Sequence, residues 1–119
     1  MAKTQNFSKG RYGESLALRY LQQKGYRFIQ SNFHTRYGEI DLIMIDKNKL
    51  IFIEVKYKSP SSPGTPEEMI SSKKITQIQR TALSFLRQNP GLAKDYPSYR
   101  LDAVCIVGTI IKHYQNINL

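Results

Sequence analysis

Two acidic residues and a lysine stand in two apolar segments that the sequence places close together. Asp41 lies within residues 39–45, and Glu54 and Lys56 lie within residues 50–57. Both segments are rich in isoleucine, which favours β-strands, and a short polar stretch separates them; this predicts a β-hairpin. The chemistry open to these groups depends on whether the hairpin brings their side chains together.

The register of the predicted hairpin decides which side chains meet. If residues 47–48 form a two-residue turn, the numbers of paired residues sum to 95, so Asp41 faces Glu54 and Glu39 faces Lys56. Because successive side chains of a strand point to opposite faces, all four polar groups project from one face. Directly opposed Cβ atoms in such a sheet lie about 4.5–5.5 Å apart.

Two carboxylates at this distance repel each other, which suggests that a cation lies between them. With an effective dielectric constant of about 20, the repulsion costs about 3 kcal/mol at 5 Å. Mg²⁺ reverses this sign, since it binds through one or two carboxylates together with water and phosphate oxygens. Lys56 could then orient a water molecule or offset charge on a phosphate group. The alternative is a solvated strand face on which Lys56 pairs with Glu39 or Glu54, and it requires Ile43 and Phe52 to be exposed.

Glu14 is a third acidic candidate. It precedes Ala17 and Leu21 by three and seven residues, so it lies on the apolar stripe of a predicted helix. A carboxylate in that position needs a partner. A salt bridge to Arg11 or Arg36 meets this need, and so does a metal ion or water beside the hairpin acids.

The order of these residues resembles the PD-(D/E)xK nuclease signature, since Asp41 is followed after twelve residues by Glu54-Val55-Lys56. Glu14 on a first helix is similar to the arrangement in archaeal Holliday-junction resolvases. More specifically, the chain from about Gly10 to Val107 resembles the YraN family of small bacterial proteins. The segments that carry this resemblance are Gly13-Glu14, Gly25-Tyr26, Asn32, Gly38-Glu39-Ile40-Asp41-Leu42-Ile43 and Phe52-Ile53-Glu54-Val55-Lys56.

The resemblance implies a restriction-endonuclease-like fold and a metal-dependent phosphodiesterase site. It implies that Glu14, Asp41 and Glu54 are catalytic residues that bind Mg²⁺ or Mn²⁺ and that Lys56 is the catalytic lysine. The residue before Asp41 is Ile40 rather than the proline of the motif's name. Many nucleases of this fold act as dimers, so the resemblance also implies a homodimer.

The chain carries an excess of positive charge that predicts a polyanionic partner. Lys and Arg total 18 against 9 Asp and Glu, so the formal net charge is 18 − 9 = +9. The charge alone fits nucleic acid, an anionic membrane surface, an acidic protein or simple solubility. With the resemblance, the expected partner is DNA, whose phosphates we expect Arg36, Lys73, Lys74 and Gln77 to contact without reading sequence. The alternative is that each lysine belongs to a solvated helix face.

The elements that hold these residues follow from periodicity and from helix caps. Ser8 and Gly25 bracket the first helix, while Thr65 and Pro66 begin a second one that Ser71 could divide. The predicted elements are helices over 9–24 and 66–88, strands over 26–30, 39–45, 50–57 and 99–107, and a tail over 110–119 that is an edge strand or a loose end. This order predicts a single α/β domain over residues 1–119, a mixed sheet flanked by helices, with loose ends at about 1–8 and 110–119.

Several classes of protein are excluded. The single cysteine, Cys105, cannot form an intramolecular disulfide, and no Cys/His cluster has zinc spacing. No apolar run approaches the roughly 20 residues that span a bilayer, and the first residues do not resemble a secretory signal. We therefore expect a cytoplasmic protein that does not contact membranes.

Three further polar residues receive structural interpretations. Asp102 lies in the apolar strand predicted over 99–107, two residues after Arg100, and we expect the two to form an ion pair. The alternative is that Asp102 gives extra support to the site. His113 has no matched partner in the sequence and is interpreted as ordinary polar surface.

The leading interpretation is a metal-dependent endonuclease that hydrolyses DNA phosphodiester bonds, in branched or otherwise structured DNA. One alternative is a catalytically inactive module that binds nucleic acid through its positive charge. Another is a protein-interaction subunit whose basic face meets an acidic partner. Metal binding that depends on Asp41 and Glu54 separates the first interpretation from the last.

Overall fold

A computed structural model of the chain shows a five-stranded mixed sheet with helices on both faces. The structure describes the backbone of residues 2–118 and the side chains of residues 10–118. The elements are α1 (Ala2–Gln23), β1 (Arg27–Thr35), β2 (Gly38–Asp46), β3 (Lys49–Lys58), a 3₁₀ helix (Pro66–Met69), α2 (Ser72–Gln88), α3 (Pro90–Asp95), β4 (Ser98–Val107) and β5 (Ile110–Tyr114). The strands lie in chain order; β3 and β4 are parallel, and the other neighbouring pairs are antiparallel. This confirms the predicted single α/β domain with a restriction-endonuclease-like fold.

Two apolar clusters, one on each face of the sheet, hold the layers together. The cluster under α2 comprises Phe33, Ile40, Ile43, Ile45, Leu50, Phe52, Ile75, Ile78, Ala82, Phe85 and Leu101. The cluster under α1 comprises Ala17, Leu21, Tyr26, Leu42, Met44, Ile51, Ile53, Val104 and Ile106. Burial of each large apolar side chain contributes about 1.5–3 kcal/mol to folding. Ile43 and Phe52 are fully buried, so the solvated strand face considered as the alternative is wrong.

The β2–β3 hairpin has the predicted register. Its pairs run from Asp46 with Lys49 to Leu42 with Ile53, and in each pair the residue numbers sum to 95. Lys47 has a φ of 57°, the left-handed conformation that a tight two-residue hairpin turn requires. The hairpin therefore brings the two acidic segments side by side at its open end.

The first helix is longer than predicted. Its backbone is helical from Ala2, so Ser8 lies inside the helix and is not its N-cap. The predicted end is confirmed: Gly25 has a φ of 95°, and the N–H groups of Gly25 and Tyr26 donate to the carbonyls of Gln22 and Leu21. This pattern closes a helix when glycine supplies the left-handed residue.

The predicted helix over 66–88 is divided into two. Thr65 caps the short 3₁₀ helix through a bond from Glu68 N–H, and Ser71 caps α2 through a bond from Lys74 N–H. Two caps six residues apart indicate two helix starts, because each side chain satisfies a different set of free N–H groups. The second start sets the rotation of α2 and hence the direction of Lys74.

The chain ends differ from the predicted loose ends. Residues 2–8 belong to α1, and Ile110–Tyr114 form the edge strand β5, the first of the two alternatives for the tail. Met1 and Leu119 lie outside the described residues. Within residues 2–118, the helices are too short or too polar to cross a membrane.

A polar cluster around Asp102 joins β4 to β5 and to the end of α1. The fully buried Asp102 carboxylate accepts bonds from Arg100 Nε (2.9 Å), His113 Nε2 (2.8 Å) and Asn116 N–H (3.0 Å). Lys24 lies 2.9 Å from His113 Nδ1, which leaves the proton on Nε2. Burial raises the pKa of Asp102, but these hydrogen bonds outweigh it and hold the pKa below its ordinary value. The predicted Arg100–Asp102 pair is confirmed, whereas the surface interpretation of His113 is wrong, because its side chain is 2% exposed.

Candidate active site

The two hairpin acids lie together in one cavity of about 330 Å³. Asp41 is 8% exposed and Glu54 is 2% exposed. The polar residues that line the cavity are Glu14, Glu39, Asp41, Glu54, Lys56, Lys58, Ser59, Ser62 and Lys74. The structure thus brings the four predicted catalytic residues to one place, from α1, β2 and β3.

The Asp41 carboxylate is fixed by the backbone of the neighbouring strand. Val55 N–H donates to Asp41 Oδ2 at 2.7 Å. This bond lies just beyond Leu42 and Ile53, the last pair of the β2–β3 ladder, so the side chain of Asp41 accepts a bond from the β3 backbone. Burial, followed by the negative charge of Glu54 and a hydrogen bond with it, raises the pKa of Asp41 to about 8, although the Val55 bond lowers it. Burial beside a second carboxylate therefore favours the protonated form of Asp41 when no cation is bound.

Glu54 has a buried oxygen whose bonding is incomplete. Its Oε2 lies 3.3 Å from Lys74 Nζ and 3.5 Å from Lys56 Nζ. These are ion-pair distances, yet among the described residues no donor makes a hydrogen bond of good geometry to this oxygen. The two ammonium groups balance the charge of this oxygen without completing its hydrogen bonds. A carboxylate oxygen of this kind fits a hard divalent cation.

Glu14 reaches the cavity from α1 and is half-buried. Burial raises its pKa, and a hydrogen bond from the Asn32 side chain opposes that rise. Asn32 has a φ of 53°, a left-handed conformation that asparagine tolerates better than most residues. The irregular backbone of β1 at this point therefore aims the amide at the Glu14 carboxylate.

The acids fit a magnesium site that completes its shell with water and substrate. Among the side chains of residues 10–118, no three His, Cys, Asp or Glu groups lie close enough to hold a metal ion by themselves. The assembled part is the pair of Asp41 and Glu54, with Glu14 on the cavity wall. Mg²⁺ characteristically uses one or two carboxylates and keeps several waters, so two acids and an open cavity suit it.

Three of the four predicted phosphate-binding residues lie together, and the fourth lies in the acidic cavity. Lys74 points into the acidic cavity and pairs with Glu54. Arg36, Lys73 and Gln77 line a neighbouring depression that also contains Tyr37, Thr76 and Arg80. The sequence interpretation missed Tyr37 and Arg80, although Arg80 follows Lys73 by seven residues and that spacing marks one helix face.

Glu39 lies at the rim of the cavity rather than at its centre. Its carboxylate is 47% exposed and lies 2.9 Å from His34 Nε2, and its residue pairs with His34 in the β1–β2 ladder. The sequence predicted that Glu39 faces Lys56, but the contact that Glu39 makes is with His34. A substitution at this position offers a control for the buried acids.

Gly13 lets α1 approach β3 closely enough to present Glu14. A Cβ atom at residue 13 would lie 2.8 Å from Tyr57 Cβ, which is too close for either backbone to stay in place. We expect Gly13→Ala to lower the free energy of unfolding by about 1–3 kcal/mol, because overpacking forces the helix away from the strand. Urea unfolding measures this change.

Gly10→Ala is the matched control for that substitution. Residue 10 lies one turn earlier in the same helix, and a Cβ there would meet nothing within 4 Å. Alanine should stabilise this position by about 0.5–1 kcal/mol through its helix propensity. Equal effects of the two substitutions would show that the contact with Tyr57 does not position α1.

Comparison with known proteins decides the family. Residues 13–106 match the sequence profile described as "Uncharacterised protein family UPF0102". The chain belongs to the UPF0102 family. This is the YraN family, so the resemblance is confirmed, and the matched region of UPF0102 includes all four catalytic candidates.

Relatives in UPF0102 cover most of the chain. A UPF0102 protein of Aliivibrio salmonicida is 44% identical over 98 residues, which are 82% of this chain and 79% of the relative. A UPF0102 protein of a Sulfurihydrogenibium species is 40% identical over 116 residues, or 98% and 96% of the two chains. One of Syntrophomonas wolfei is 37% identical and covers 86% of each. The similarity thus extends over the whole fold rather than over a motif.

Proposed function

We propose that this protein is a metal-dependent endonuclease that hydrolyses DNA phosphodiester bonds, in branched or otherwise structured DNA. The observation that carries the proposal is the buried pair of Asp41 and Glu54 in an open cavity, with two lysines beside it. Such a pair opposes folding, and the order of these residues resembles the PD-(D/E)xK signature. Metal-dependent hydrolysis of a phosphodiester would require such a pair of carboxylates.

The chain offers a defined set of ligands for the ion. Asp41 and Glu54 would hold Mg²⁺ or Mn²⁺, and Glu14 is the candidate third ligand. When bound, the ion would supply Lewis-acid chemistry, lowering the pKa of a water molecule and neutralising charge on the phosphate. The bond from Val55 N–H to Asp41 Oδ2 fixes the orientation of this carboxylate at the cavity wall.

The charges of the cavity favour phosphate only when a divalent cation is present. Glu14, Glu39, Asp41 and Glu54 carry −4 when ionised, and Lys56, Lys58 and Lys74 carry +3, so their sum is −1. Two added positive charges turn the sum to +1. The ammonium groups that contact Glu54 would then be free to turn toward substrate, where Lys56 orients the attacking water and Lys74 contacts a phosphate oxygen.

Cleavage of labelled DNA tests the proposal. The purified protein should cut branched DNA in Mg²⁺ or Mn²⁺ and should not cut it in EDTA. Asp41→Asn and Glu54→Gln should lower the rate by about 1,000-fold or more, because each removes a ligand of the ion that activates water. Glu39→Gln, at the cavity rim, should retain cleavage.

Two results would contradict the proposal. One is the absence of cleavage with branched, flapped and linear DNA in either metal. The other is cleavage that survives in both Asp41→Asn and Glu54→Gln, since a contaminating nuclease would then be its source. The expected homodimer also stays a prediction.

A further inference from the structure

Helix α2 carries a straight row of cations on its outer side. Lys73, Arg80 and Arg87 are seven residues apart, so they lie on one face of the helix, and all three are exposed. Two turns of helix separate neighbours by about 10.5 Å, and the whole row is about 21 Å long. The helix buries its opposite side in the cluster under α2, which keeps the row straight.

Tyr37, in the turn between β1 and β2, organises two guanidinium groups beside this row. The Arg36 and Arg80 guanidinium carbons lie 5.2 Å and 5.8 Å from the centre of the tyrosine ring. Arg36 also donates to the Tyr37 hydroxyl at 3.2 Å. That bond, followed by the positive charges of Arg36, Arg80 and Arg87, lowers the pKa of Tyr37. We call the surface formed by Arg36, Tyr37, Lys73, Arg80 and Arg87 the basic groove.

The basic groove has room for a ligand and lacks acidic partners. Two depressions of about 420 Å³ and 410 Å³ flank Tyr37 and Arg80. Within residues 10–118, the salt bridges of the acidic side chains go to other cations, not to the four of the groove. Arg36 and Arg80 flank one tyrosine ring, so both guanidinium groups would attract an anion bound beside it. Paired guanidinium groups match the geometry of phosphate oxygens.

The basic groove adjoins the acidic cavity at two points of the chain. Lys73 in the groove precedes Lys74 in the cavity, and Tyr37 in the groove lies two residues before Glu39 at the cavity rim. An extended polyanion bound at the cavity would therefore continue along α2. A small free anion would not need a row of this length.

We propose that the basic groove binds the sugar–phosphate backbone of the DNA arm that flanks the bond to be cut. The row of about 21 Å corresponds to about six base pairs at a rise of 3.4 Å. This inference rests on the proposed function, because the acidic cavity identifies the polyanion as a DNA substrate. The groove fixes the position of the arm on the protein and does not read its sequence.

The test measures DNA binding without divalent metal, so that no cleavage occurs. Fluorescence anisotropy with a labelled DNA duplex in EDTA, over a series of KCl concentrations, gives the slope of log K against log salt. Each lost phosphate contact reduces the magnitude of this slope by about 0.9. The double variant Arg80→Ala/Arg87→Ala should therefore reduce it by about 1.8.

A double variant with the same net charge is the control. Lys49 at the start of β3 and Lys112 on the edge strand are exposed and lie outside the groove. Lys49→Ala/Lys112→Ala should leave the slope within about 0.5 of the wild-type value, since these lysines contact no phosphate. Equal slopes for the two double variants would overturn the proposal that the basic groove binds DNA. It would also be overturned if the wild type bound poly-glutamate of matched charge as tightly as the DNA duplex.

The outcome separates the groove from the nuclease. Cleavage in Mg²⁺ together with an unchanged slope in Arg80→Ala/Arg87→Ala would overturn the groove and leave the nuclease proposal standing. A reduced slope without cleavage would overturn the nuclease and support the groove as a DNA-binding surface.

Discussion

Replacing Asp41 with asparagine should make the protein more stable in the absence of metal. The wild-type site places two buried carboxyl groups together, and an amide at residue 41 replaces an acid whose ionisation is unfavourable there, while it can still accept the bond from Val55 N–H. The amide can also donate to the unsatisfied oxygen of Glu54. A substitution that abolishes cleavage should thus stabilise the fold, as expected where a site is arranged for function at the expense of stability.

The gain should depend on pH in a defined direction. Burial and the neighbouring Glu54 raise the pKa of Asp41 from 3.8 to about 8. Between these values the folded state holds a proton that the unfolded state has released, so wild-type stability falls as the pH rises toward 8. The advantage of the asparagine variant should grow by about 1.4 kcal/mol per pH unit in this range and level off above it.

Urea unfolding in EDTA at several pH values measures the difference. Between pH 6 and pH 8, the stability advantage of Asp41→Asn over the wild type should grow by about 3 kcal/mol. Mg²⁺ should then stabilise the wild type and have little effect on the variant, because only the wild type retains both ligands. Glu39→Gln should show neither effect. If Asp41→Asn were less stable than the wild type at every pH, the raised pKa and the strained pair would both be wrong.

Replacing Arg100 with methionine should have the opposite effect and lower stability by about 3–5 kcal/mol. Arg100 donates to both oxygens of Asp102 and also contacts Asp46 and the Tyr26 hydroxyl. Without it, the buried carboxylate keeps His113 and Asn116 N–H as partners but loses its balancing charge. Thermal and urea unfolding measure the loss.

Two further variants make this prediction specific. Arg27→Met removes an exposed arginine that bonds only to the Tyr96 hydroxyl among the contacts described, and it should cost less than about 0.5 kcal/mol. Arg100→Met/Asp102→Asn should be more stable than Arg100→Met alone, since no unpaired charge remains in the core. A loss below about 1 kcal/mol in Arg100→Met would show that the cluster around Asp102 is not a main support of β4 and β5.

The part of the site carried by the hairpin could be predicted from the sequence. A two-residue turn fixes the register of both strands, and the register fixes which residues meet. Asp41 and Glu54 follow from that arithmetic alone. Lys56 follows from the alternation of side chains along β3, and its ammonium does lie near Glu54.

The rest depended on how separate elements pack. The rotation of α2 is set by Ser71 and by its apolar face, so the sequence could not show that Lys74 turns to Glu54 while Lys73 turns away. The left-handed Asn32 and the bond from Val55 N–H to Asp41 arise where the ladders become irregular. The interpretation of His113 as surface was wrong because no sequence pattern links it to Asp102. The two residues meet only through the pairing of β4 with β5.

The length of helix α2 fixes the spacing of the cations along it. Ile75, Ile78 and Phe85 lock its inner side to the sheet, so the interval between Lys74 in the cavity and Arg87 at the far end is set by the number of residues alone. One residue inserted between them would turn Arg87 by about 100° and advance it by about 1.5 Å. If the two proposals hold, the distance between the cleaved bond and the contact with the DNA arm is set by the number of residues in one helix.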